Sequence, residues 1–204
     1  MAKIKLTKNE LKKQKDSLKM YQRYLPTLQL KKKQLQLEIR GVEARMAELK
    51  ARRETLEADF AAWIGVFTEE PAARGTDGLP LLSVKEVSTS RGNIAGVQIP
   101  LFDGAEFELK SYDLYSTPLW VDRALELLKS VLLADLEFKV VEEQRVLLSA
   151  ELRTTSQRVN LFEKVKIPET LNDIKRIRIY LGDQQTAQVV RGKIAKKKVE
   201  GVAP

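Results

Sequence analysis

The acids Asp135, Glu137, Glu142 and Glu143 are the densest set of side chains with potential for acid–base chemistry. Paired carboxylates work as catalysts when an enclosed apolar pocket drives their proton affinities apart. On a helix these four spread around the barrel among competing bases, with nothing to supply such a pocket. The glycine-bearing stretch RGTDG at 74–78 lacks the lysine and hydroxyl that a phosphate-binding loop needs, and it reads as a turn. The chain has neither cysteine nor histidine. Thiol and imidazole nucleophiles, Ser-His triads, disulfides and the common zinc sites are therefore excluded. No metal, cofactor or catalytic residue is expected.

Charge is the other source of chemistry. Residues 1–60 hold 16 Lys/Arg against 8 Asp/Glu, residues 185–204 hold 5 against 1, and the middle is net negative. KKKQ at 31–34 and KIAKKK at 193–198 offer phosphate contacts, but no aromatic side chains interleave as in single-strand binders. Helix surface, or electrostatic contact with a protein, is the better reading of Lys193, Lys196, Lys197 and Lys198, and no nucleic acid is expected as a partner.

These charges must be carried by helices. With Leu11 at position a of a heptad, the a and d sites run from Leu11 and Gln14 to Phe60 and Trp63, and 13 of the 16 are apolar. That sustained pattern predicts a coiled coil of roughly 80 Å. Thr7 and Glu10 fit a capping box. Pro26 and Gly41 are read as a bend and a close approach. A second long helix is expected to start at STPLWVD, with Thr117 as cap and Pro118 in the first turn. Its seam runs Ala124, Leu127, Val131 and onward to Val159 and Phe162. After Phe162 the apolar positions resume out of phase at Ile167, Leu171, Ile174 and Leu181, so Pro168 sits where the seam changes register. The competing reading is that one helix ends there and another begins.

Between the helices, EEPAARGTDGLP at 69–80 is turn-rich. SVKEVSTS and NIAGVQIP read as short strands around RGN, and VQIPLF and EFELK flank Asp103-Gly104, which reads as a hairpin turn. The organisation expected is an N-terminal coiled-coil helix at 1–65, a β-hairpin insert at 66–117, a C-terminal coiled-coil helix at 118–190 and a basic tail at 191–204. The fold class is mainly α: a long antiparallel two-helix coiled coil with a small β-hairpin insert at the bend, and both basic ends together at the far tip. The longest apolar runs, such as AAWIGVF at 61–67, are too short to span a bilayer.

The LTKNELKKQKDSL start, LQLKKKQLQLEI, NIAGVQIP, the Thr-Pro pair before the second helix, RVNLFEKVKIP and the late GKIAKKK together resemble the D subunit of the V-type and A-type rotary ATPases. The resemblance runs from about residue 5 to residue 198. Its most specific part places Arg158, Val159, Asn160, Glu163, Ile167 and Pro168 on the family's signature. It implies a central-stalk rotor shaft, without catalysis of its own, passing torque between an ion-translocating membrane rotor and a catalytic head for ATP synthesis or ATP-driven proton or sodium transport. The partners implied are the head's catalytic A and regulatory B subunits, the stalk's F subunit and the funnel-shaped subunit on the rotor ring. The place implied is the cytoplasmic face of the membrane, peripheral within the complex. Pro168 and the phase slip would then give the shaft fixed asymmetry. A prefoldin-like chaperone is the alternative with the same order of helix, β hairpin and helix, and a basic arm for RNA or DNA is a further one.

Overall fold

A computed structural model describes residues 4–61, 81–112 and 120–201. The expected cap and first turn at Thr117 and Pro118, and the turn-rich stretch at 69–80, lie outside the described residues. The fold is mainly α, with antiparallel long helices and a small two-stranded β insert. Helix α1 spans Lys8–Ala61 and α2 spans Trp120–Asn160. A π-helical segment, Leu161–Lys166, follows without a break and leads into α3, Ile167–Glu200. The segment at 191–204, expected as a separate tail, is helical through Glu200.

The heptad frame of α1 holds from Leu11 to Leu49, while Arg53, the next a position, is exposed. The a and d residues from Leu11 to Leu49 are buried or half-buried, while most of the remaining positions are exposed. Thr7 Oγ1 accepts from the Glu10 N–H at 3.3 Å, the first half of the capping box. The second half is missing: the Glu10 carboxylate accepts from Gln14 Nε2, and the Thr7 N–H goes to the Lys5 carbonyl. Pro26 is inside α1 and exposed. Gly41 is not a close approach, since a Cβ there would meet nothing within 4 Å.

The chain divides into two compact units, Met1–Lys32 with Thr154–Pro204, and Lys33–Arg153. The second holds a core of Leu35, Ile39, Val42 and Leu49 from α1, Val141 and Leu148 from α2, and Ile99 from the β insert. Leu35 and Leu148 are wholly buried. Each such side chain contributes about 1.5–3 kcal/mol by leaving water.

The insert is one long hairpin, β1 Leu82–Ile94 against β2 Val97–Leu109. Its turn is Ala95-Gly96, with φ of 52° and 81°. Two successive positive φ values are what a two-residue primed turn needs to match strand twist. Asn93 Oδ1 accepts from the Gly96 N–H at 3.0 Å and closes the turn. RGN therefore lies within β1, not between two strands. Asp103-Gly104 is likewise no turn: Ser88 pairs with Gly104 and Thr89 with Phe102, which leaves Asp103 as the extra residue of a bulge. A second bulge leaves out Lys85 on the opposite strand, so the two cancel and the register is kept. Ile94, Ala95 and Val97 pack on the helical core, and Gln144, 8% exposed, donates from Nε2 to the Pro100 carbonyl at 2.5 Å. The hairpin lies against the helices because its turn and Ile99 are apolar and Gln144 satisfies a strand carbonyl.

Candidate functional site

Two features of the unit built from the chain's ends carry the residues singled out by sequence: the π segment and the distal part of α3. An uninterrupted seam would follow Phe162 with a d position at 169. The buried residues are instead Thr170, Ile174 and Ile177, one residue late. Phe162 to Thr170 is eight residues where a heptad has seven. The six-residue π segment absorbs the surplus. Its signature is the Ile167 N–H, which donates to the Phe162 carbonyl five residues back.

The position of the proline follows from that geometry. In a regular α-helix the Pro168 ring would collide with the carbonyl of Lys164. Opening the turn to an i→i−5 pattern moves that carbonyl out of line with the ring. Thr170, 4% exposed, turns its hydroxyl back to the Lys166 carbonyl at 2.5 Å, which gives a polar side chain a partner inside the seam. The helix neither ends nor restarts. Leu171, expected in the seam, is 48% exposed, because the true shift is by one residue and brings Thr170 into its place.

The signature residues surround this turn. Val159 is buried in the seam and Ile167 is half-buried, whereas Arg158, Asn160, Glu163 and Pro168 are exposed. They share a level of the helix but do not converge on a point. Tyr21 of α1 meets Phe162 at 5.2 Å between ring centroids, a tilted pair that fixes the register of the two helices.

Lys193, Lys196, Lys197 and Lys198 are all exposed on α3. Lys196 pairs with Glu200 at 3.5 Å, a surface contact of small energetic weight. The two basic ends do not meet at one tip. Ile4 lines a shallow groove with Asn172, Arg176 and Ile179, so the start of α1 is level with that part of α3. The lysines lie about 20–30 Å further along at 1.5 Å per residue. Every described residue from Gly182 to Gly201 is exposed, including Val189, Val190, Ile194 and Val199.

Of the four acids weighed above as catalysts, all in the other unit, Asp135 and Glu137 pair across helices and Glu143 is exposed. Glu137 Oε1 is 2.6 Å from Arg45 Nη2, and Asp135 Oδ1 is 3.2 Å from Arg53 Nε, linking α2 to α1. These bonds push both guanidinium groups further up from their ordinary range: for Arg45 through the hydrogen bond to Glu137, and for Arg53 through Glu57 first and Asp135 next. Glu142 faces Arg145 on its own helix at 3.9 Å. Among the described residues, no group of three or more acids is placed to hold a metal ion. No helix among them is long and apolar enough to cross a membrane. Sequence reasoning missed Gln144 and the Arg45 and Arg53 pairs, for which only the buried-face position of Gln144 next to the seam gave a signal.

A family model for the D subunit of ATP synthases matches residues 10–197. The chain is 53% identical over 196 residues to the V-type ATP synthase D subunit of Borreliella burgdorferi, covering 96% of this chain and 95% of that protein. It is 37% identical over 198 residues to the V-type ATP synthase D subunit of Chlamydia trachomatis, covering 97% and 96%. The protein of the same description from Chlamydia caviae is 35% identical over 201 residues, covering 97% and 94%.

Proposed function

The chain belongs to the family of ATP synthase D subunits, and on that premise we propose that it is the central-stalk shaft of a V- or A-type rotary ATPase. It catalyses nothing itself. It transmits torque between the ion-translocating rotor in the membrane and the catalytic A and regulatory B subunits, for ATP synthesis or ATP-driven ion transport. The F subunit and the funnel-shaped subunit on the rotor ring complete its contacts, and it works at the cytoplasmic face of the membrane. The observation that carries this reading is the antiparallel helix pair whose far end, Gly182–Gly201, is covered by no other helix among the described residues and has its apolar and basic side chains all exposed. A chain that spent sequence on such an end needs a sleeve to cover it, and the hexameric head is that sleeve.

Mechanically, a shaft biases the head only if it is not the same on every side. A conformational change follows from differential contact with the alternative states. The extra residue in the π segment supplies a permanent irregularity at one level of the helix pair. The exposed lysines supply long-range attraction to acidic walls without fixing register, which suits a part that turns. The test is a gentle pull-down of the tagged chain from its own cells, with co-eluting proteins identified by mass and the eluate assayed for ATP hydrolysis. Recovery of A- and B-type subunits with hydrolysis supports the shaft. Unfolded client proteins without ATPase subunits would instead establish the chaperone reading.

A further inference from the structure

The unit formed by residues 4–32 and 154–201 leaves one flank apolar. Around each helix, positions g and c lie on one side of the a/d seam, and e and b on the other. When two helices face one another antiparallel, the g and c positions of both turn to the same side. Met20 and Tyr24 hold c and g in α1, and Leu161 and Val165 hold c and g in the frame that reaches the π segment. The contact of Tyr21 with Phe162 puts Met20 and Leu161 at one level, with Tyr24 and Val165 about one turn away in opposite directions. In that order their exposures are 47%, 43%, 54% and 40%. A single exposed apolar side chain is ordinary, but four large ones gathered on one flank mark a contact surface.

The rim of this flank is cationic. Arg23, Arg158 and Lys164 occupy its f and g positions, are exposed, and have no ion pair among the described residues. The acids on this side, Glu10, Asp16, Glu169 and Asp173, all lie toward the chain's ends from the apolar four, with Glu169 3.6 Å from Lys166, while Glu163, at an e position, turns to the other side. The π segment itself carries two of the four apolar residues, and such segments occur frequently at functional sites. Two apolar ridges separated by the furrow between packed helices fit a third helix laid along them.

We propose that this flank seats an amphipathic helix of another polypeptide, with its apolar stripe against Met20, Tyr24, Leu161 and Val165 and its carboxylates against Arg23, Arg158 and Lys164. The apolar centre gives the contact its strength, and the unpaired cations choose a partner that brings acids. The identity of the surrounding complex rests on the rotary reading, but the flank does not.

The chain has no cysteine, so Leu161→Cys in the full-length protein gives one attachment point for a benzophenone maleimide. Gln22→Cys, exposed at an e position on the opposite flank, is the control. Photolysis is performed on whichever assembly carries the tagged chain. The expected result is a crosslink from position 161 to a single helix of another polypeptide with Asp or Glu beside its apolar stripe, and none to that helix from position 22. No intermolecular crosslink from 161, the same crosslink from both positions, or a target without acids would overturn the proposal. The double change Leu161→Asp/Val165→Asp is expected to cut retention of the crosslinked polypeptide about tenfold or more at constant helical content, as loss of central apolar contacts does. Unchanged retention would also overturn it. The names of the co-purifying proteins test the rotary reading separately: a crosslink of the expected kind in an assembly without ATPase subunits would refute the shaft and keep the flank.

Discussion

The register shift makes Pro168 and the extra residue separable. Deleting Glu163 shortens Phe162 to Thr170 from eight residues to seven, the heptad distance, so Thr170, Ile174 and Ile177 stay in the seam and the π turn has nothing left to absorb. The Ile167 N–H keeps its acceptor, the Phe162 carbonyl, now four residues back instead of five. Pro168 then stands in a regular α-helix with its ring against the Lys164 carbonyl, a clash costing about 3 kcal/mol. Replacing Pro168 by Ala in the deletion background removes that clash. In the unaltered chain Pro168→Ala should matter little, within about 1 kcal/mol, because the π turn already accommodates the ring and the extra residue still has to go somewhere. The expected coupling between the two changes is thus about 2–3 kcal/mol. With a urea slope of about 1–3 kcal/mol per molar, the deletion alone should unfold roughly 1 M or more earlier than the deletion with Pro168→Ala. Urea titration followed by far-ultraviolet circular dichroism measures all four chains. Equal effects of Pro168→Ala in both backgrounds would refute the account of why the proline is where it is.

Other expectations follow from burial and hydrogen bonding. Ile177→Ala, at a wholly buried seam position, should cost about 2–5 kcal/mol, whereas Leu171→Ala on the exposed face should stay within about 0.5 kcal/mol; urea midpoints distinguish the two. Gln144→Ala strips the Pro100 carbonyl of its donor and should cost about 1–3 kcal/mol, read as faster amide hydrogen exchange along β1 and β2. The Tyr112 hydroxyl donates to the Asp122 carboxylate, which raises its pKa above the ordinary value near 10 through that hydrogen bond first. Because the folded value is the higher one, the contact's contribution is whole below the ordinary pKa and is lost as pH rises through the folded one. Ultraviolet titration against Tyr112→Phe should show the Tyr112 phenol ionising late, and Asp122→Asn should bring it back toward its ordinary value.

Much of the architecture was legible because it depends on one-dimensional spacing. A 3.5-residue apolar repeat can bury its stripe only against a matching stripe, so the seams of α1 and α2 follow from the sequence alone. The slip after Phe162 was visible for the same reason. Its size was not: Leu171 is more apolar than Thr170, yet the register set by Ile174 and Ile177 buries Thr170, whose hydroxyl is satisfied by the Lys166 carbonyl. The hairpin was misread at both ends. Asp-Gly is a strong turn signal, yet the turn sits at Ala95-Gly96, because Ile94, Ala95 and Val97 find apolar cover on the helices and Asp103 can be lost from the ladder as a bulge. Asp103 Oδ1 there accepts from Ser90 Oγ at 3.0 Å. The meeting of the basic ends failed for a simpler cause: residue counts fix lengths only where both helices start level, and the seam does not report where α1 runs out beside α3.

On the shaft reading, the register shift has a consequence that neither the seam nor the charges provide. A uniform antiparallel pair looks alike at every heptad, so a surrounding partner could bind it at several heights with similar energy. The π segment occurs once among the described residues, carries Phe162 against Tyr21, and displays Leu161 and Val165 beside Arg158 and Lys164. A partner that reads those side chains is thereby held at one height and one face of the pair. On that reading, one residue added to a heptad gives an otherwise repeating pair a single landmark, the asymmetry that surrounding contacts need if they are to depend on the shaft's angle.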